Sequence, residues 1–268
     1  MVPKLNKFRK HLGKLTKGEK DDAIFGLVEA ALKREDINAA ISEVRRIKND
    51  YYLFLGVRSI VKKIVQLAKK SINKFGSVLK HEKEAFREYL KELVILANSI
   101  TEERLRAIVF ADIAIAFYLI DESLEGDLAL RTSLDLAEKL KDDDVTFEIV
   151  YSLVENDLLE KAAYAMSLVR NRKKLDVILS YMALHLYKEG REDDAAKVIT
   201  HIQSDFHKVM ALWKMAEFES KRDKKKAEEI LKKAMELLKD IENPVLRFEA
   251  FVKIAELQEE LAGRFRFS

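Results

Sequence analysis

The chain has 268 residues, of which 49 are Lys or Arg and 46 are Asp or Glu, for a formal net charge of +3. Its 8 Gly and 2 Pro are too few for the closely spaced turns of a β-sandwich or barrel, and the absence of Cys excludes disulfides, thiolate metal sites and cysteine nucleophiles. With 48% hydrophobic residues the chain can bury a substantial core.

The N-terminus carries no apolar leader pattern, and the most hydrophobic stretch, residues 107–120, is interrupted by Asp112 and is too short to span a bilayer. A soluble, cytoplasmic protein with no membrane contact is expected. Lys (33) and Glu (28) abound while Gln (3) is scarce, a bias that suits ion-pair networks at high temperature and suggests a hyperthermophilic, archaeal source. Charge is sorted along the chain: residues 1–20 sum to +6, 21–44 to −4, 45–91 to +9, 92–160 to −12, 161–226 to +6 and 227–268 to −2. Such blocks put fields on particular surfaces, so opposite blocks could also pair two copies of the chain as a homo-oligomer.

In chain order, residues 1–20 read as a basic amphipathic segment, with Leu5, Phe8, Leu12 and Leu15 on one face and Lys4, Lys7, Lys10, Lys14 and Lys17 on the others. Gly13 to Lys20 has the glycine spacing of a phosphate-binding loop, but Glu19-Lys20 stands where Lys-Ser/Thr is needed and no strand precedes it, so the match is chance. From Ser59 to Phe75 a period near 3.6 predicts an amphipathic helix. Residues 72–82, around Gly76, read as a long loop or a helix extension. An acid in an apolar helix, Asp112 must be paired or protonated; a buried Tyr or Arg on a neighbouring helix is the expected partner, and catalysis the alternative. Glu125-Gly126-Asp127 and Gly190 are expected at turns, Asp142-Asp143-Asp144 at an acidic helix N-terminus, and Asn243-Pro244 as a cap followed by the first helical position.

Self-comparison shows a repeated apolar box, large-x-x-large-small, at 57–61, 110–114, 179–183, 212–216 and 251–255. In all five copies an aliphatic residue (Ile47, Ile100, Val169, Ile202, Ile241) lies 14 residues before the last position. A second box in the intervening helices starts on Ala40, Ala162, Ala195 and Ala227. The chain therefore alternates two helix types. The spacing of Ala183, Leu186, Gly190, Ala195, Ile199 and Ile202 resembles the packing ladder of the tetratricopeptide repeat, although Leu186 and Ile199 replace aromatics and no Pro closes the unit. The resemblance covers residues 21–262 and implies an all-α αα-superhelix, a solenoid of about thirteen antiparallel helices with a tail at 263–268.

It further implies a concave groove lined by residues around the small packing position. Carried over copy by copy, these include Arg58 and Lys62, then Tyr118, then Phe147 and Tyr151, then Tyr187, then Trp213 and Glu217, a surface that begins basic, turns aromatic and ends acidic. Such a groove suits a peptide or an amphipathic helix, so the expected function is that of a non-enzymatic scaffold without a cofactor. The rival function is association with nucleic acid through residues 1–20 and 51–81, the latter free of Asp and Glu, with Lys62, Lys63, Lys69, Lys70 and Lys74 as a phosphate-binding face. His201, His207 and Asp205 straddle a turn without metal-ligand spacing, and no metal is expected. Gln258, Leu261 and Phe265 fall at the spacing of a sliding-clamp-binding peptide, a coincidence in view of Arg264.

Overall fold

A computed structural model describes residues 17–263, which form thirteen α-helices and, among the described residues, no strand. The apolar faces of the basic segment at 1–16 and the last position of the clamp-like motif, Phe265, lie outside the described residues. No helix among them is long and apolar enough to cross a membrane. The chain divides into two compact units between Ser152 and Leu153.

The first unit holds α1 (Lys17–Lys33), α2 (Ile37–Val44), α3 (Asp50–Phe75), α4 (Lys80–Asn98), α5 (Glu103–Leu119), α6 (Ser123–Leu140) and the start of α7 (Asp143–Glu155). Helix α5 is its core: every residue from Ala107 to Phe117 is buried, with α3, α4 and α6 packed around it. A helix apolar on all sides needs neighbours on all sides, which is why its hydrophobic run was mistakable for a membrane segment only in composition and not in length. The stretch 72–82 is neither a long loop nor a single extension. Helix α3 continues to Phe75, Gly76 takes the left-handed conformation (φ 79°) that ends it, and α4 starts at Lys80. The Ser71 hydroxyl donates to the Ser77 carbonyl at 3.3 Å, tying the short connection down.

Gly126 does not sit at a turn, as expected, but inside α6. A Cβ there would lie 2.7 Å from the Tyr118 ring, so the missing side chain is what lets α5 and α6 approach. The other boundary signals behave as their chemistry requires. Asn243 caps the helix that begins at Pro244 by accepting from the Val245 and Leu246 amides, and Asp142 accepts from the Asp144 and Val145 amides at the start of α7.

The second unit holds the end of α7 with α8 (Leu159–Ala165), α9 (Arg172–Lys188), α10 (Glu192–His201), α11 (Asp205–Ser220), α12 (Lys224–Leu237) and α13 (Pro244–Leu261). Here α9 packs on α10, α11 on α9 and α12, and α13 on α11 and α12. A small cluster of Leu179, Ile202 and Ala211, with Val198 and Ile199 against it, joins α9, α10 and α11.

Two local devices recur. The first is a turn with a left-handed residue at Glu35, Asp121, Asp157 and Gly190. In each, the next amide (Asp36, Glu122, Leu158, Arg191) donates to the carbonyl five residues back, closing the preceding helix as a Schellman motif. The second is a carboxylate clasp. Asp21 in α1 accepts from the amides of Lys48 and Asn49 (3.2 and 2.9 Å), and Asp176 in α9 from those of Gln203 and Ser204 (3.1 and 2.9 Å). Asp50 in α3 does the same for Thr101 and Glu102 (2.8 and 3.0 Å). In all three the second donor is the cap residue of a later helix: Asn49 of α3, Glu102 of α5 and Ser204 of α11. The clasp therefore fastens the start of one helix to the start of the next helix but one, and satisfies amides that would otherwise be orphaned near a helix end.

The devices share a register. Lys17 and Arg172, Ile37 and Glu192, and Asp50 and Asp205 begin corresponding helices, each pair 155 residues apart. The clasp acids Asp21 and Asp176 and the turn residues Glu35 and Gly190 keep the same offset.

Candidate functional site

The first unit holds a buried acid, Asp112, against two partly exposed charges. Arg58, one turn into the Leu53 to Ile64 core face of α3, places Nε 2.8 Å from Asp112 Oδ2 and Nη2 2.6 Å from Glu148 Oε1 in α7. Its guanidinium also lies 5.5 Å from the centroid of the Phe54 ring. The Arg58–Asp112 contact is an ion pair without an aligned hydrogen bond, since neither Nε nor Oδ2 has a partner in hydrogen-bonding geometry. Burial is the largest influence on Asp112 and pushes its carboxyl up to about 6; the positive charges of Arg58 and Lys62 pull the other way. The partner expected for Asp112, an Arg on a neighbouring helix, is thus Arg58. Two acids sharing one arginine make a packed ion triad: both carboxylates face a cation that cannot give up a proton, which suits a structural role better than proton transfer.

The residues expected to line a concave groove have varied surroundings. Lys62 is exposed. Phe147 and Tyr151 are half-buried and stacked, with centroids 5.6 Å apart and rings 15° from parallel, one turn of α7 around Glu148. The Tyr118 hydroxyl donates to Asp127 at 2.6 Å while its ring covers Gly126. In the second unit Tyr187 is only 8% exposed, donates to the buried Glu219 carboxylate at 2.9 Å and lies beneath Lys226. The Trp213 indole N–H donates to the Lys253 carbonyl at 3.0 Å, and Glu217 is exposed. Within the first unit, then, Arg58 meets the helix carrying Phe147 and Tyr151. Tyr118, Tyr187 and Trp213 spend their polar atoms on internal bonds.

The basic face of α3 is divided in the same way. Lys63 is drawn to Glu35 (3.0 Å), whereas Lys62, Lys69, Lys70 and Lys74 have no carboxylate in ion-pair contact among the described residues. The histidines at the 201–207 turn do not converge: His201 is exposed, and His207 Nδ1 lies 2.9 Å from the Ser204 hydroxyl. Among the described residues no three His, Asp or Glu side chains are grouped so as to hold a metal ion.

One surface has no counterpart in the residues singled out from the sequence. Between α4 and α6 runs a groove of about 280 Å³, lined by Lys91, Val94 and Asn98 on one side and Glu125, Leu128, Ala129 and Thr132 on the other, with Phe110 and Phe117 of α5 as its floor. Leu128 is 68% exposed. Ile95 and Leu124, adjacent in sequence to the lining, are 71% and 79% exposed. The charges in the wall are already engaged, Lys91 with Glu88 at 2.7 Å and Glu125 with Arg87 at 2.9 Å, so the floor and rim are apolar in effect. Only the i, i+4 spacing of Leu124 and Leu128 hints at this surface in the sequence, and that spacing also describes a helix face turned to the core.

The chain matches no known family model and shows no significant sequence similarity to a curated protein.

Proposed function

We propose that the chain is a non-enzymatic scaffold built from tetratricopeptide-like helix pairs, which acts by binding a protein segment. The recurring turn, the recurring clasp and the 155-residue register support the repeat reading. The observation that carries the function is the α4–α6 groove, where Leu128 in the wall is exposed over an aromatic floor and the exposed Ile95 and Leu124 neighbour lining residues in sequence. Exposed apolar clusters of this kind mark contact surfaces, and two helical walls over a hydrophobic floor fit the apolar face of a third helix. Because residues 92–160 sum to −12, the segment it takes is an amphipathic helix with a basic outer face.

The test is a selection of displayed helical peptides on the intact protein. The selected sequences are expected to carry Leu, Ile or Phe at i, i+3 or i+4 and i+7 with Lys or Arg between them. They should lose at least ~10-fold in affinity for Leu128→Glu and Ile95→Glu, a loss typical of a contact residue worth ~1.4 kcal/mol or more. Both positions are exposed, so circular dichroism and melting should match the wild type. Selected peptides that bind both variants as well as the wild type would overturn the assignment.

A further inference from the structure

Several surface cations have an acid to meet: Arg45 and Glu92, Arg104 and Asp142, Lys139 and Glu103, and Lys226 and Glu192 all lie within 3 Å of each other. Helix α3 stands apart in its composition. Residues 51–81 contain no Asp or Glu, and of its cations Arg58 and Lys63 are ion-paired from neighbouring helices or turns, while Lys62 feels Asp112 and Lys70 feels Glu35 only at longer range. Lys62, Lys69, Lys70 and Lys74 remain, with no carboxylate in ion-pair contact among the described residues. Two of them, Lys70 and Lys74, stand four apart on the helix, where like charges repel.

The row has a definite geometry. Lys62, Gln66, Lys70 and Lys74 follow one another at i, i+4, all exposed, and exposed Asn73 lies four residues after Lys69. At 1.5 Å per residue the line from Lys62 to Lys74 is ~18 Å long, the span of about five stacked nucleotides at ~3.4 Å each. The row ends at Phe75, a residue 51% exposed, whose ring has Lys74 Nζ 4.8 Å from its centroid. Lysines spaced along a strand, amide side chains between them and an exposed ring at the end are the three parts a single strand uses: phosphate attraction, hydrogen bonding to bases and stacking. A duplex hides the faces of its bases and has no use for the ring. A purely acidic chain such as polyglutamate has nothing to stack on it either.

We infer that α3 binds single-stranded nucleic acid along Lys62, Lys70 and Lys74, with Phe75 stacking on a base, a second activity that does not depend on the α4–α6 groove.

The experiment measures binding of the full chain to a fluorescein-labelled oligothymidylate of about fifteen nucleotides, by anisotropy, between about 50 and 200 mM salt. Lys62→Glu, Lys70→Glu and Lys74→Glu combined should weaken binding at least ~10-fold and flatten the plot of log affinity against log salt by about 2, since each lost phosphate contact removes about 0.7 on a single strand. Lys224→Glu, Lys232→Glu and Lys239→Glu combined change the net charge equally at exposed positions of the other unit and should stay within about twofold of the wild type. Phe75→Ala should cost at least ~5-fold and leave the salt slope unchanged. Should the triple glutamate variant of α3 lose helix content, the same three changes to Gln replace it. The inference fails if the wild type does not bind at the lowest salt, or if the two triple variants weaken alike. It also fails if Phe75→Ala is silent, or if duplex DNA or polyglutamate binds as tightly as the single strand.

Discussion

Asp112 and Arg58 show how an exception in the sequence becomes intelligible only with its neighbours in place. The acid stood out because it interrupts an apolar run; its partner Arg58 did not, since an Arg among α3 lysines looks like one more surface cation. Burial holds the Asp112 carboxyl up at about 6, above its value in an unfolded chain, so the folded state favours the protonated form. The stabilisation this gives is complete below about pH 4 and is lost as pH rises through about 6. Asp112→Asn fixes the neutral form at all pH values. Relative to the wild type, the variant should therefore gain stability by as much as ~3 kcal/mol between about pH 4 and 7, measured as the difference in urea unfolding free energies. A difference that stays flat over that range would show that Arg58 compensates the buried charge in full.

At the scale of elements, helix boundaries were legible where a side chain with one dominant preference sits at the end: Asn243-Pro244, the acids at 142–144 and Gly190 all do what their chemistry favours. They were illegible where the conformation opposes the residue. Glu35, Asp121 and Asp157 adopt the left-handed backbone that Gly190 takes without strain, and nothing in an exposed acid announces this. Gly126 misled in the opposite direction, because its missing side chain serves packing and not a turn. The strain at Asp121 is removable. Asp121→Gly should stabilise the protein by ~1 kcal/mol in thermal or denaturant unfolding, since the Schellman turn needs positive φ and glycine adopts it freely. Equal or lower stability would mean that the unfolded-state entropy of glycine outweighs the relieved strain. The α4–α6 groove belongs to the same scale. It lies where α4 and α6 both flank the α5 aromatics, an arrangement that no periodicity encodes.

For the molecule as a whole, both kinds of apolar box read from the sequence start in helices, the first in α3, α5, α9, α11 and α13, the second in α2, α8, α10 and α12. The five aliphatic markers are all buried, and each lies two residues before a helix cap: Ile47, Ile100, Val169, Ile202 and Ile241 precede Asn49, Glu102, Asn171, Ser204 and Asn243. The marker is an apolar plug that seats each entering chain. The clasp beside it went unseen, because Asp21, Asp50 and Asp176 occupy helix positions where an acid ordinarily faces water. Division into two units also escaped the sequence, since it falls inside α7 with no Pro or Gly to mark it.

The clasp has a consequence for how the fold opens. A helix that ends in solvent frays alone, and its first amides exchange with water at a rate set by local opening. The amides of Gln203 and Ser204 are instead held by a carboxylate anchored in α9, so opening the start of α11 requires loosening the start of α9 as well. Their deuterium uptake should track that of the α9 interior, far slower than an ordinary loop. Asp176→Ala should separate the two, speeding exchange at 203 and 204 by about a hundredfold, the equivalent of ~3 kcal/mol for two partly buried amides that lose a charged acceptor, while the middle of α9 stays protected. Unchanged exchange at those two amides would assign their protection to the Ile202 plug instead. In this chain the unit of opening would be neither a helix nor a helix pair, but the span from one clasp to the next.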